Sequence, residues 1–183
     1  IYHKAVSYRL DVLGALPEDN FTMELDPEEI FPGISVLTGS LKRPKFLPIV
    51  SSTVLAQALI KRSEGAIDGF IIEGPTAGGH NAPPRGILKL SDTLEPVYGI
   101  KDYVDLEKMR SFGKPFWLAG GYGHPDKLKE ALSLGAAGIQ VGTVFSLCNE
   151  SGMERVLKSK VLRNVLNKNI RIFTSHNVSP TGF

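Results

Sequence analysis

Gly69-Phe-Ile-Ile-Glu-Gly-Pro-Thr-Ala-Gly-Gly-His80 decides the fold. It opens with a short apolar run, passes through glycine turns and ends in a histidine. Three other stretches share its opening: Phe46-Leu-Pro-Ile-Val50 before it, then Pro115-Phe-Trp-Leu-Ala119 with Gly120-Gly121, and Gly138-Ile-Gln-Val-Gly142. Continuous apolar runs, rather than alternating ones, characterise strands buried on both faces. Helix-period segments separate them. Ser51-Ser52-Thr53 offers N-caps to a helix with Val54, Leu55, Ala58 and Leu59 on one face. A second helix is expected from Val104 to Phe112. Pro125 suits the first position of a third, which ends near Gly135, and a fourth covers Met153 to Leu166. Strand, loop and helix in repetition imply parallel βα units with right-handed crossovers.

The step from Gly69 to Pro115 is the long one, because a Gly- and Pro-rich loop runs from Gly74 to about Gly99. Loops of that length inside compact domains are usually functional. Parallel βα repeats suit two α/β architectures, a doubly wound open sheet and an eight-stranded barrel, and both bind ligands at the carboxyl ends of the strands. A barrel typically needs about 250 residues; this chain has 183, with four clear units.

Residues 46–166 hold these units, 1–45 form an N-terminal segment and 167–183 a C-terminal tail. In the N-terminal segment, Asp26-Pro-Glu-Glu-Ile30 reads as a helix start with acid in its first turn, and Ile34-Ser-Val-Leu37 as a strand. The chain begins at Ile1 rather than Met and stops at Thr181-Gly182-Phe183 without a closing element, which reads as a piece of a longer protein.

Composition narrows the partners. Hydrophobic residues make up 42%, enough for one core. Basic side chains number 21 against 19 acidic, a net charge of +2, which argues against nucleic acid or an anionic membrane surface. The densest basic cluster, Lys42-Arg43-Pro44-Lys45, reads as a solvated loop. No apolar stretch approaches the ~20 residues of a membrane helix. Cys148 is the only cysteine, so an intrachain disulfide is impossible and a cytoplasmic setting is expected. A metal is not expected, since no two histidines have ligand spacing and no Cys/His cluster exists.

The glycine clusters all follow strand ends: Gly74, Gly78 and Gly79; Gly120, Gly121 and Gly123; Gly142 with Thr143. Glycine lets backbone approach a ligand closely, and backbone N–H groups at such turns bind phosphate. Barrels often place a phosphate site after their last two strands, beside a short extra helix. Tight βα turns alone would also use glycine, but two successive clusters with Thr143 favour phosphate. His80 sits in a glycine-flanked loop at a strand end, where an imidazole can act as base or donor. His3, His124 and His176 lack that setting, though His124 borders Gly123 and Pro125 at a helix start. Glu73 and Gln140 end strands and should reach the site or pair with a neighbour. Arg85 either reaches a substrate or pins the loop. Phe116 and Trp117 read as core, and Cys148 as a packed thiol rather than a nucleophile.

At these residues the sequence resembles the nitronate monooxygenase (formerly 2-nitropropane dioxygenase) family. Residues 69–80 resemble its strand ending in Ala-Gly-Gly-His, 115–121 its next glycine turn, and Gly135-Ala-Ala-Gly-Ile-Gln-Val-Gly-Thr-Val-Phe145 its Gly-Ala-Asp-Gly-Val-Gln-Met-Gly-Thr-Arg-Phe segment. The resemblance implies a parallel (β/α) barrel of TIM type, here partial, and an FMN-dependent oxidation of alkyl nitronates in which reduced flavin then reacts with oxygen. It implies His80 as the catalytic histidine and flavin contacts at Glu73, Gly78, Gly79, Gly120, Gly121, Gln140, Val141, Gly142 and Thr143. The implied partners are a small-molecule nitronate and a second copy in a homo-oligomer. Position 73 is often glutamine in the family, position 76 glutamate and position 137 aspartate; here they are Glu73, Thr76 and Ala137, and the Asn81-Ala-Pro-Pro-Arg-Gly86 loop departs as well. The alternatives are an FMN-dependent enoyl-thioester (acyl-carrier-protein) reductase, which shares these patterns, and a non-catalytic half barrel that holds a phosphate ligand or a partner.

Overall fold

The computed structural model describes residues 6–10, 16, 21–33, 44–63, 66–77, 81–171 and 173–175. The chain divides into two compact units, Ile1–Pro44 and Lys45–Phe183.

The first unit contains an antiparallel pair, β1 (Val6–Leu10) and β2 (Phe21–Leu25), registered from Val6 opposite Leu25 to Leu10 opposite Phe21. These strands were not anticipated from the sequence. The expected helix start is there as α1 (Pro27–Ile30), where the Asp26 carboxylate accepts from the Glu28 N–H at 2.9 Å. The expected strand at 34–37 falls outside the described residues.

The second unit is built on a four-stranded parallel sheet, β3 (Ile49–Val50), β4 (Phe70–Glu73), β5 (Phe116–Ala119) and β6 (Gly138–Gln140), paired in sequence order. Between them run α2 (Thr53–Arg62), α3 (Leu106–Ser111) and α4 (Pro125–Ser133). After β6 come α5 (Thr143–Ser146) and α6 (Arg155–Leu166). The starts are those their residues dictate. Ser52 caps α2 by accepting from the Leu55 N–H, Asp105 caps α3, and Pro125 occupies the first turn of α4.

The core lies on one face of this sheet. Val50, Phe70, Ile72, Phe116 and Leu118 pack there with Ala56 of α2, Met109 of α3 and Ala131 of α4. Doubly wound sheets carry helices on both faces, whereas a barrel carries them on its outer face alone. Sequential strand order with helices on one face is the arrangement of a partial (β/α) barrel. The other face bears Ile49, Ile71, Trp117 and Gly138 in one row, by their pairing. Ile49 there is exposed and Ile71 and Trp117 are half-buried. The expectation of strands buried on both faces is therefore corrected in part: α2, α3 and α4 pack on the first face, whereas Ile49 on the second is exposed and Ile71 and Trp117 are only half-buried.

The expected face of α2 is also corrected. Ala56 is buried and Leu59 packs on the core, but Val54 is 69% exposed and Leu55 42%. The helix turns its stripe by part of a turn, because Ala56 and Leu59, three residues apart, share a face.

The long loop is not structureless. Leu90 bridges to Pro96, Val97 N–H donates to the Lys89 carbonyl, and Leu94 adopts a positive φ at the tip. Glu95 pairs with Arg171 and accepts from the Thr174 N–H, tying the tip to the C-terminal segment. Burial pulls the Glu95 carboxyl upward, but its hydrogen bonds from Thr174 and Thr93 and the charge of Arg171 leave it below its ordinary value.

Trp117 sits between two glycines. A Cβ on Gly69 would come within 2.7 Å of the Pro115 carbonyl oxygen and 3.0 Å of the indole; one on Gly138 would meet the indole at 3.0 Å. Gly69→Ala should therefore overpack and cost about 1–3 kcal/mol, read as a lower urea midpoint at unchanged slope. Gly99→Ala, whose Cβ would meet nothing closer than 3.9 Å, should shift it far less.

Glu154 caps α6 by accepting from the Val156 and Leu157 N–H groups, which hold its carboxyl below the ordinary 4.5. A depressed folded-state pKa gives stability that is present above the unfolded value and is lost as pH falls through the folded one. Glu154→Ala should lower the thermal midpoint at pH 7, and the gap to wild type should close as pH falls below about 4.

Candidate functional site at the strand carboxyl ends

Parallel pairing brings Glu73, Ala119 and Gln140 level at the carboxyl ends of β4, β5 and β6. The three turns that follow therefore open on one side. They enclose a cleft of about 730 Å³, within the range of cofactor sites. Glu73, Gly120, Gly121, Gln140, Val141, Gly142 and Thr143, all expected site residues, line it. Glu73 is half-buried and Gln140 exposed. Gly78, Gly79 and His80 fall outside the described residues; Ala77, which precedes them, is buried and lines the cleft, and Asn81, which follows, is buried.

The glycines divide by what surrounds them. Gly120 has φ +94°, and a Cβ there would lie 2.8 Å from the Ala77 nitrogen, so the β5 turn is packed directly on the β4 turn. Gly121 has φ +75°, with nothing closer than 3.9 Å to a Cβ. Gly142 has φ −120° and open space around its Cβ position. Gly142 leads directly into α5, the short helix expected beside a phosphate site. The first N–H groups of a helix have no partner within it, and the residues that carry them here, Thr143 and Val144, line the cleft.

Tyr122, His124 and Ser146 also line the cleft and were not anticipated. For His124 a signal was present: a residue directly before a helix-starting proline is a cap position. Its Nδ1 accepts from the Asp126 N–H at 3.2 Å, capping α4. Burial, then the Glu130 carboxylate, raise the Tyr122 phenol above its ordinary value, and Lys127 opposes them. Tyr122 thus keeps its proton at neutral pH and remains a hydrogen-bond donor.

Arg85 pins the loop. Its guanidinium donates to the Ser51 carbonyl at 2.8 Å and the Lys101 carbonyl at 2.7 Å, and its N–H to Asp102. Asn81 donates to the Pro75 and Ala77 carbonyls, and Tyr98 to the Ala82 carbonyl. Cys148 donates its thiol hydrogen to the Phe145 carbonyl, and buried Lys158 donates to the Cys148 carbonyl, closing the end of α5. Phe116 is core. Among the described residues no cluster of His, Cys, Asp and Glu has the makings of a metal site, and no helix is long and apolar enough to cross a membrane.

A one-sided parallel α/β sheet in sequential strand order, with glycine turns gathered round a cleft at its carboxyl ends, is a (β/α)-barrel segment. The family model described as nitronate monooxygenase matches residues 38–177, and the chain belongs to that family of oxidoreductases. It is 30% identical over 143 residues to a probable nitronate monooxygenase of Bacillus subtilis (strain 168), covering 78% of this chain and 37% of that protein. It is 27% identical over 171 residues to a probable nitronate monooxygenase of Staphylococcus saprophyticus, covering 87% and 46%. Over 115 residues it is 30% identical to (3aS,4S,5R,7aS)-5-hydroxy-7a-methyl-1-oxo-octahydro-1H-indene-4-carboxyl-CoA dehydrogenase of Mycobacterium tuberculosis, covering 63% and 29%. The chain spans less than half the length of these relatives.

The two kinds of glycine give opposite expectations. Gly120→Ala should lower the thermal unfolding midpoint by several degrees, since a positive φ and a backbone contact both oppose a side chain. Gly142→Ala should leave that midpoint near wild type.

Proposed function

We propose that this chain supplies the phosphate-binding turns and the histidine loop of an FMN-dependent enzyme that oxidises alkyl nitronates. The observation that carries the proposal is the convergence of seven expected contact residues, from three separate strand ends, on one cleft. The residues fit such a cofactor. Backbone amides at Gly121, Thr143 and Val144 suit a phosphate, and open space at Gly142 leaves room for its approach. Gln140 can donate and accept at a polar ring edge, and Glu73 stands two strands away on the same wall of the cleft. Bound FMN would supply the redox chemistry, while the protein positions it and tunes the charge around it.

His80, together with Gly78 and Gly79, enters on the sequence motif. Its imidazole would hydrogen-bond the nitronate or, on the neutral nitroalkane, take the proton from the carbon next to the nitro group to form that nitronate and an imidazolium. Arg85 and Asn81 hold the segments that flank this loop. In the purified full-length protein, His80→Ala should abolish turnover of an alkyl nitronate while the flavin absorption bands persist. Undiminished turnover would remove His80 from its role. A folded, colourless protein that takes up no FMN would favour a non-catalytic half barrel.

A second reading keeps the cofactor and changes the substrate. One relative is named as a dehydrogenase of a carboxyl-CoA compound, which brings acyl thioesters in as a substrate class; an enoyl-thioester reductase is one form of that reading. NAD(P)H consumption driven by an enoyl thioester, without nitronate turnover, would select it.

A further inference from the structure

The turns after β4 and β5 meet at one junction. Thr76 donates its hydroxyl to the Gly120 carbonyl oxygen at 2.9 Å, Gly74 N–H reaches the Ala119 carbonyl at 3.5 Å, and the Gly120 Cα packs on Ala77. Gly120 and Gly121 both have positive φ. Consecutive glycines have wide conformational freedom, and no side chain of their own selects one peptide orientation. A trans peptide is planar, with its C=O and N–H pointing oppositely. Holding the Gly120 carbonyl on Thr76 therefore directs the Gly121 N–H away from Thr76. Gly121 lines the cleft and Thr76 is not part of its wall.

We infer that Thr76 is a positioning residue that locks the Gly120–Gly121 peptide and so orients the Gly121 N–H toward a phosphate-bearing cofactor. The inference rests on the flavin reading above. The hydroxyl acts as a latch between two loops that share no covalent neighbour, 44 residues apart.

The test is an FMN titration, followed by flavin fluorescence, of the wild-type full-length protein, Thr76→Val and Thr76→Ser. The bond is solvent-exposed, so its loss should act at the low end for a hydrogen bond: Thr76→Val should raise the FMN Kd about two- to fivefold. Thr76→Ser, which keeps the hydroxyl, should restore wild-type affinity. The KM for the nitronate, measured at saturating FMN, should not move. Equal FMN affinity in Thr76→Val and wild type would overturn the inference alone. So would a Thr76→Ser variant as weak as Thr76→Val, because the methyl group rather than the hydroxyl would then matter. A wild-type protein that binds no FMN would sink the flavin reading and this inference with it. If Thr76→Val does not fold, Thr76→Ala takes its place in the same comparison.

Discussion

The site depends on strand register. Because Glu73, Ala119 and Gln140 are paired in a row, three βα turns leave the sheet at one height. A parallel ladder is what makes this possible, since every strand then presents its carboxyl end to the same side. Slipping one strand by a residue would turn its side chains to the opposite face. Here such a slip would carry Phe116 and Leu118 out of the core and move Gly120 off Ala77. Core packing and site geometry are thus set by the same pairing.

The distribution of burial follows from the same ladder. Alternate residues of β4 and β5 face the helices, and all four, Phe70, Ile72, Phe116 and Leu118, are buried; on the other face of these two strands Ala119, at the carboxyl end of β5, is buried as well. Those between them face the other way, and Trp117 fills that side by lying across Gly69 and Gly138. A large aromatic flanked by two glycines exchanges side-chain volume between neighbouring strands and keeps the row level. Ile49, in the same row, remains 51% exposed. An apolar row next to a polar cleft is what the inner wall of a barrel presents, and it explains why Glu73 and Gln140, at the end of that wall, are the polar groups nearest the turns.

How much of this was legible in the sequence varied with the range of the interaction. Strand positions were legible because a run such as Phe-Ile-Ile between glycines leaves few alternatives. The helix starts at Ser52 and Pro125 were legible because caps and first-turn prolines act between near neighbours. The face of α2 was not, because Val54, Leu55, Ala56 and Leu59 are all apolar enough to be buried and only the tertiary environment chooses among them. The loop after β4 looked unstructured because its ties reach far along the chain: Arg85 to Ser51, and Glu95 to Arg171 and Thr174. The role of Arg85 was open on sequence alone for that reason, and its two carbonyl partners decide it. The β1–β2 pair carries a different signature, the strict apolar–polar alternation of Val6-Ser-Tyr-Arg-Leu10 and Phe21-Thr-Met-Glu-Leu25, which a reading tuned to continuous apolar runs passes over.

The glycines carry the last step. In the sequence, Gly120, Gly121 and Gly142 are equivalent marks of a turn that a ligand approaches. In the structure they have different reasons to exist. Gly120 is required by the fold, since positive φ and the Ala77 backbone both exclude a side chain. Its presence alone would therefore be explained without any ligand. Gly142 is under neither constraint: its φ suits any residue and its Cβ position is empty. A glycine costs conformational entropy on folding, and at Gly142 neither backbone geometry nor packing offsets that cost. Close approach of something to the backbone would offset it. Among these three glycines, Gly142 is the one for which neither φ nor a neighbouring atom accounts.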